Sequence, residues 1–371
     1  MTVNTRVLLL TSSNLGPYHQ ARYRSLAQGN ICLIVVKTPV EEYHRPWEAG
    51  GGPDDFRTLA PFRREDSFLQ IYRKCKNMLA QERAEVVVCV GYNSRYIWAL
   101  ATACKFHKVP CALYLVGWQQ ERPRSRHKEA LKRVFIREAF RAALATGTLA
   151  GEYARNLGVP AGSIYTVGNV VDNAHFSNGT HPAAARSDDL PARFFLTVSR
   201  LSPEKNITGL LQAFERYRAQ GGSWELCIAG TGPQEAELQA QEPGAIAGSL
   251  HWLGWLGYDQ LPIVYQACHC FILPSEIEPW GLVVNEAMAA GKPVLVSRQC
   301  GCHPELCQVG RNGYLFDSHD TLRLADLMHH VESFPDSELE RMGQASREII
   351  AGYTLETWRD AFIGAIQDLA Q

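Results

Sequence analysis

Two cations and two carboxylates stand out by their positions. In LTVSRLSPEKNITGLLQAF, Arg200 and Lys205 flank a turn between a strand-like apolar run and a helical pattern. Pro203 suits a first helical turn and Glu204 suits the positive end of a helix dipole, so a helix is expected to begin near Pro203. Two cations at such a turn fit a phosphate group, with helix amides as further donors; the plain alternative is a pair of solvated surface cations. In SEIEPWGLVVNEAMAAGKPVLVS, Glu278 lies in a turn and Glu286 lies inside a run of helix formers over 281–290. Gly291 suits a helix stop and Pro293 opens a strand. Apolar side chains occupy nearly every side of this helix, which predicts burial. A buried carboxylate needs hydrogen-bond donors, from the protein or from a ligand. The amides of Gly281, Leu282 and Val283 open the helix and form a further anion or hydroxyl site. A third stretch, CIAGTGPQEAEL, places Gly230 and Gly232 after a strand. It is only G-x-G-P, and a plain turn explains it as well as a ligand does.

These residues need a scaffold that holds them at strand ends. Apolar runs at 6–10, 31–36, 86–90, 111–116, 142–146 and 164–167 read as strands, with helical patterns such as 92–106 and 127–140 between them. The second half repeats the scheme, with strands at 194–198, 225–229, 250–253, 270–273, 293–296 and 313–316. Strands alternating with crossover helices imply parallel sheets covered on both faces. The expected fold class is α/β, with two doubly wound domains facing a central cleft. Ligands of such sheets sit beyond the carboxyl ends of the strands. The stretch 173–192 lacks a helical or strand period and reads as the linker. The expected division is 1–172, the linker, 193–352, and a last amphipathic helix over 353–371.

The bulk composition narrows the function. A chain of 371 residues exceeds what one core usually supports. A formal net charge of -1 argues against a general nucleic-acid binder. No apolar run approaches the length of a membrane span, and the first residues do not read as a signal peptide, so a cytoplasmic protein is expected. The 11 cysteines read as reduced small residues. Cys300, Cys302, His303 and Cys307, with Cys268 and Cys270 upstream, match no standard zinc spacing, so no metal is expected. Asp54, Asp55, Asp188 and Asp189 read as loop charges, not metal ligands.

The stretches VSRLSPEKN, AGTGP, PSEIEPWGLVVNEAMAAGKPVLVS and CGCHPELCQVGRNGYLF occur in this order. Together they resemble the retaining GT-B glycosyltransferases of family 4, over roughly 194–316. The resemblance implies two Rossmann-like domains, acceptor-binding at 1–172 and donor-binding at 193–352, with the last helix, 353–371, crossing back to the first. It implies transfer of a hexosyl group from a nucleotide sugar, a UDP-sugar before a GDP-sugar, to a hydroxyl acceptor, without a cofactor or catalytic metal. By motif match, Arg200 and Lys205 would hold the donor diphosphate. Glu278 would accept from donor sugar hydroxyls and Glu286 from the ribose. Pro279, Trp280, Gly281, Leu282 and Val283 would contact sugar and phosphate, and Gly232 and Leu253 would lie near the base. Gly16 would face donor phosphate or acceptor, and His19 and Arg22 would touch the acceptor. After CALYLV many relatives carry a histidine, where this chain has Gly117, Trp118 and Gln119.

The acceptor is expected to be lipid-linked, a polysaccharide or a small molecule. The segment 121–141 holds eight Lys or Arg against three Glu. It would meet an anionic lipid surface peripherally, or it is a solvated helix face. The rival readings are a nucleotide-sugar 2-epimerase on the same fold and a non-catalytic sugar-nucleotide-binding protein. A dinucleotide oxidoreductase would need GxGxxG after the first strand, and SSNLGPYHQ is not that.

Overall fold

The computed structural model describes residues 5–11, 15–39, 56–121, 124–177, 190–241 and 244–371. The chain forms two compact units. One comprises Met1–Gln119, Pro123–Val170 and Leu355–Gln371; the other comprises Gln120–Arg122 and Val171–Thr354. Asp54, Asp55, Asp188 and Asp189 lie outside the described residues.

The first unit holds a parallel sheet of β1 (Thr5–Thr11), β2 (Ile31–Lys37), β3 (Arg57–Leu59), β4 (Val86–Val90), β5 (Cys111–Leu115), β6 (Ala142–Ala145) and β7 (Ile164–Thr166). Its order is β3-β2-β1-β4-β5-β6-β7, which reverses between β1 and β4. Runs such as VLLL and VVVCV form its centre because both faces of the sheet are covered. On one face lie α2 (Phe68–Glu82), α3 (Arg95–His107), α4 (Arg126–Ala139) and α5 (Thr148–Asn156). They bury Ile71, Leu100, Ile136 and Tyr153 against Leu8, Leu10, Cys89 and Leu113. The remaining helices are α1 (Pro17–Ala27) and, from the chain end, α14 (Leu355–Ala370). They pack together, and Trp358 of α14 donates its indole N–H to the Tyr114 hydroxyl of β5 at 3.1 Å. The short strand β3 was not expected, because Arg57-Thr58-Leu59 carries no apolar run.

The second unit holds β8 (Phe194–Val198), β9 (Glu225–Ala229), β10 (Leu250–Gly254), β11 (Cys270–Leu273), β12 (Val294–Ser297) and β13 (Gly313–Phe316). They form a parallel sheet ordered β10-β9-β8-β11-β12-β13, reversing between β8 and β11. Its helices are α6 (Asn173–Ser177), α7 (Ile207–Ala219), α8 (Glu235–Ala240), α9 (Leu261–Ala267), α10 (Leu282–Ala289), α11 (His303–Leu306), α12 (Thr321–Glu332) and α13 (Asp336–Ile350). The stretch read as linker therefore opens with a helix. Phe176 is its anchor, fully buried with its ring edge-on to Tyr258 and Tyr265.

Ten of the eleven cysteines are buried and Cys32 is exposed. Burial pushes the Cys268 and Cys307 thiols up to about 12, as expected for thiols in apolar surroundings. Among the described residues no group of three or more His, Cys, Asp or Glu is arranged to hold a metal ion. No helix among them is long and apolar enough to cross a membrane.

Candidate functional site

The loops after β8, β9, β11 and β12 meet at the carboxyl edge of the second sheet, beside the point where strand order reverses. After β8 the chain does not enter an α-helix at Pro203, as the sequence suggested. Pro203–Lys205 is a single 3-10 turn, and α7 starts at Ile207. The reason is Asn206. It adopts φ +52, and its side-chain oxygen accepts from Gly209 N at 3.2 Å, capping α7. Its amide nitrogen donates to Ser318 O at 2.8 Å and Pro274 O at 3.3 Å, tying the turn to neighbouring loops.

This turn positions the charges. The Glu204 carbonyl accepts from the amides of Glu276 and Ile277 at 2.9 and 3.2 Å. That link carries Glu278 alongside Lys205, whose Nζ donates to Glu278 Oε2 at 2.5 Å. Burial works to raise the Glu204 carboxyl, but the Ser202 hydroxyl at 2.7 Å and the Lys205 and Arg200 charges hold it below the usual range. Arg200 is exposed on the same loop.

The Glu278–Gly281 turn is held from behind. Gly301 N donates to Glu278 O at 2.9 Å, and Cys302 N donates to Trp280 O at 3.1 Å. Gly281 sits at φ +102, and a Cβ there would stand 2.8 Å from Leu273 Cδ2, so the position requires glycine. Trp280 is buried and donates its indole N–H to Asn285 Oδ1 at 3.0 Å. Pro279, Leu282 and Val283 are partly exposed. Gly281 brings no capping side chain to α10, which leaves its first amides suited to an anion.

Glu286 is fully buried in α10, as its apolar surroundings predicted. A protein donor reaches it: the Tyr265 hydroxyl of α9 donates to Oε2 at 2.7 Å. That partner was illegible in the sequence, since an aromatic residue in another helix carries no spacing signal.

The glycines after β9 do more than turn the chain. Gly230 has φ +132, and a Cβ there would stand 1.8 Å from Ser199 O; one on Gly232 would stand 2.2 Å from Leu201 O. Gly230 N donates to Gly254 O at 2.7 Å, and Leu201 N donates to Thr231 O at 3.0 Å. The loops after β8, β9 and β10 are thus lashed together backbone to backbone, with Leu253 partly exposed at the end of β10.

The candidates in the first unit are placed differently. Gly16 caps α1 at φ -67 and ψ 172, a conformation open to other residues, and its carbonyl accepts from the His19 and Gln20 amides. The His19 ring lies 6.1 Å from that of Tyr23. Arg22, expected at an acceptor, is 6% exposed. Its Nη1 donates to Asn169 Oδ1 at 2.6 Å and its Nε donates to Tyr18 O at 3.2 Å. Its guanidinium lies over the Trp358 ring at 5.9 Å. This geometry gives Arg22 a structural task within the first unit.

Comparison with known proteins gives the site its context. Residues 185–349 match the family model "Glycosyl transferases group 1". O-antigen chain mannosyltransferase B of Escherichia coli is 30% identical over 155 residues, 41% of this chain and 39% of its own. Glycogen synthase of Mycobacterium tuberculosis is 27% identical over 235 residues, 63% of this chain and 55% of its own. The chain therefore spans roughly half the length of these relatives, or less. Among solved structures, Anabaena Alr3699/HepE in complex with UDP has a TM-score of 0.80 at 16% identity, covering 98% of this chain and 100% of that one. With its two parallel-sheet units the chain has the GT-B fold, and its residues 185–349 are similar to the glycosyl transferases group 1 family.

Proposed function

We propose that the protein is a retaining, family 4 glycosyltransferase. It would move a hexosyl group from a nucleoside-diphosphate sugar, a UDP-sugar before a GDP-sugar, to a hydroxyl of an acceptor in glycan, glycolipid or small-molecule glycoside synthesis. The observation that carries this reading is the Lys205–Glu278 pair, fixed at the strand-order reversal by the Glu204 and Glu278 carbonyls. A cation and a carboxylate side by side suit a ligand with phosphates at one end and hydroxyls at the other. The relatives' names, and UDP in the Anabaena structure, support the same donor class.

In the reaction, the bond between the anomeric carbon and the diphosphate oxygen breaks, and the acceptor oxygen bonds to that carbon from the same face. The acceptor proton passes to the departing diphosphate. Arg200 and Lys205 offset the charge that grows on the leaving group, an interaction strongest in the transition state. Glu278 accepts from sugar hydroxyls, and Glu286 faces the ribose. Pro279, Trp280 and the amides of Gly281, Leu282 and Val283 line the sugar and phosphates. Gly232 and Leu253 flank the base. Gly16 and His19 belong to the acceptor unit. Eleven thiols that are kept reduced suit the cytoplasm. Peripheral contact through 121–141 would bring this chemistry to a lipid-linked acceptor.

The test is turnover. Purified protein is mixed with UDP-glucose, UDP-galactose or GDP-mannose, with EDTA present and with pooled glycoside and lipid-linked acceptors. Product configuration is read by NMR. An acceptor-dependent glycoside with the donor's anomeric configuration is expected. Inverted product contradicts retention. Donor epimerised without acceptor supports the 2-epimerase, and nucleotide binding without any turnover supports the non-catalytic reading.

A further inference from the structure

We propose that the outer face of α4, with the end of α3, is a docking surface for an anionic lipid bilayer. The inner side of α4 is already used: Ile136 and Ala139 are buried, and Phe135 stacks on Trp98 of α3 at 4.1 Å. The outer side nevertheless carries Leu131 at 72% and Val134 at 57% exposure, and Phe106 of α3 is 72% exposed. Both helices belong to one layer on one face of the first sheet, and the Lys105–Glu138 ion pair joins the end of α3 to this face of α4. A merely solvated helix puts polar residues there.

Charge identifies the occupant. At about 100° per residue, Leu131 and Val134 form a stripe with Arg133 and Arg137 on one flank and Lys128 on the other. All three cations are exposed, as are Lys108 after α3 and Arg141 after α4. The acid on this face, Glu138, is tied to Lys105 at 2.9 Å and to Arg137 at 3.5 Å. An apolar stripe between basic flanks is the pattern of a helix lying in the headgroup region, with cations on anionic headgroups and apolar side chains below them. A second copy of the chain fits worse, because a two-fold contact would set these arginines against themselves.

The test is cosedimentation of the full chain with vesicles of phosphatidylcholine alone or mixed with phosphatidylglycerol. It reads no turnover, so it stands or fails apart from the transferase reading. Binding is expected to the mixed vesicles only, and to weaken with added salt. Arg133→Glu with Arg137→Glu should reduce it by about thirtyfold or more. Leu131→Ser with Val134→Ser should reduce it by about tenfold, with unchanged melting temperature. No binding to mixed vesicles, equal binding to both kinds, or binding that neither double variant reduces would overturn the proposal. So would a dimer in sedimentation velocity that needs these same residues.

Discussion

Arg22 and Lys205 are cations that follow corresponding strands of two similar sheets, Arg22 within α1 and Lys205 in the turn before α7. Each follows the strand at which strand order reverses, β1 in one unit and β8 in the other. Their surroundings differ. Arg22 is 6% exposed, and its guanidinium donates to a neutral amide and a carbonyl inside its own unit. The Lys205 side chain is 18% exposed, and its partner is a carboxylate, Glu278, 14% exposed and held by loop backbone. A cation ringed by neutral protein acceptors is part of the packing. A cation paired to a carboxylate at the carboxyl ends of the strands is the arrangement on which the proposed ligand site rests. The sequence offers a cation shortly after a strand in both cases, Arg22 inside α1 and Lys205 in the turn before α7, and their surroundings separate them.

Breaking the ligand side of this comparison should give the largest effect. Lys205→Ala or Arg200→Ala is expected to lower transfer by about 10²–10³-fold, the range for loss of one donor to developing charge. The measurement is the rate of nucleoside diphosphate release with donor and acceptor present. A rate within a few-fold of wild type would move Lys205 to the structural side.

The next effect belongs to Arg22. Arg22→Met should destabilise the chain by about 2–3 kcal/mol, read from denaturant unfolding, because Asn169 Oδ1 and Tyr18 O lose a buried donor. Nucleotide binding should persist in the folded fraction. Lost binding with unchanged stability would reverse the two assignments.

Asn206→Ala sharpens the comparison within the second unit. It removes the cap of α7 and the ties to Ser318 and Pro274, and about 1–2 kcal/mol of stability should go with them. If those ties also hold the 203–205 turn, KM for the donor should rise as well.

The smallest effect is a pH dependence in the second unit. Burial first, then the Arg193 and Lys292 charges, hold the His269 pKa below 6.5. The unfolded chain then binds more protons than the folded one below about pH 6.5, so stability falls as pH drops through that value. His269→Gln should flatten this slope in thermal melts at pH 5 to 7. An unchanged slope would assign it elsewhere.

How much was legible follows from what sequence patterns record. Apolar runs such as VVVCV and FILP mark strands because a doubly covered sheet buries both sides. Glu286 was readable as buried from its neighbours. The β3 strand was not, because three mixed residues have no period. The Pro203 turn was misread because Pro and Glu favour a helix start, while Asn206, a stronger capping residue, stood three positions later. Gly230 and Gly232 looked like an ordinary turn, since the backbone they approach lies about 30 residues upstream. The role of Arg22 was hidden for the same reason: Asn169 and Trp358 are remote in sequence and adjacent in the fold.

The central claim, that the strand-edge site of the second unit holds a nucleoside diphosphate through Arg200 and Lys205, is tested most directly by thermal stabilisation. Wild type and Arg200→Ala would be melted with UDP, GDP, ADP or NAD in EDTA. A ligand at 100 times its dissociation constant adds about 2.7 kcal/mol, a resolvable shift. The account predicts stabilisation of wild type by one nucleoside diphosphate and its loss in Arg200→Ala. No shift with any diphosphate, or a shift with NAD alone, would contradict it.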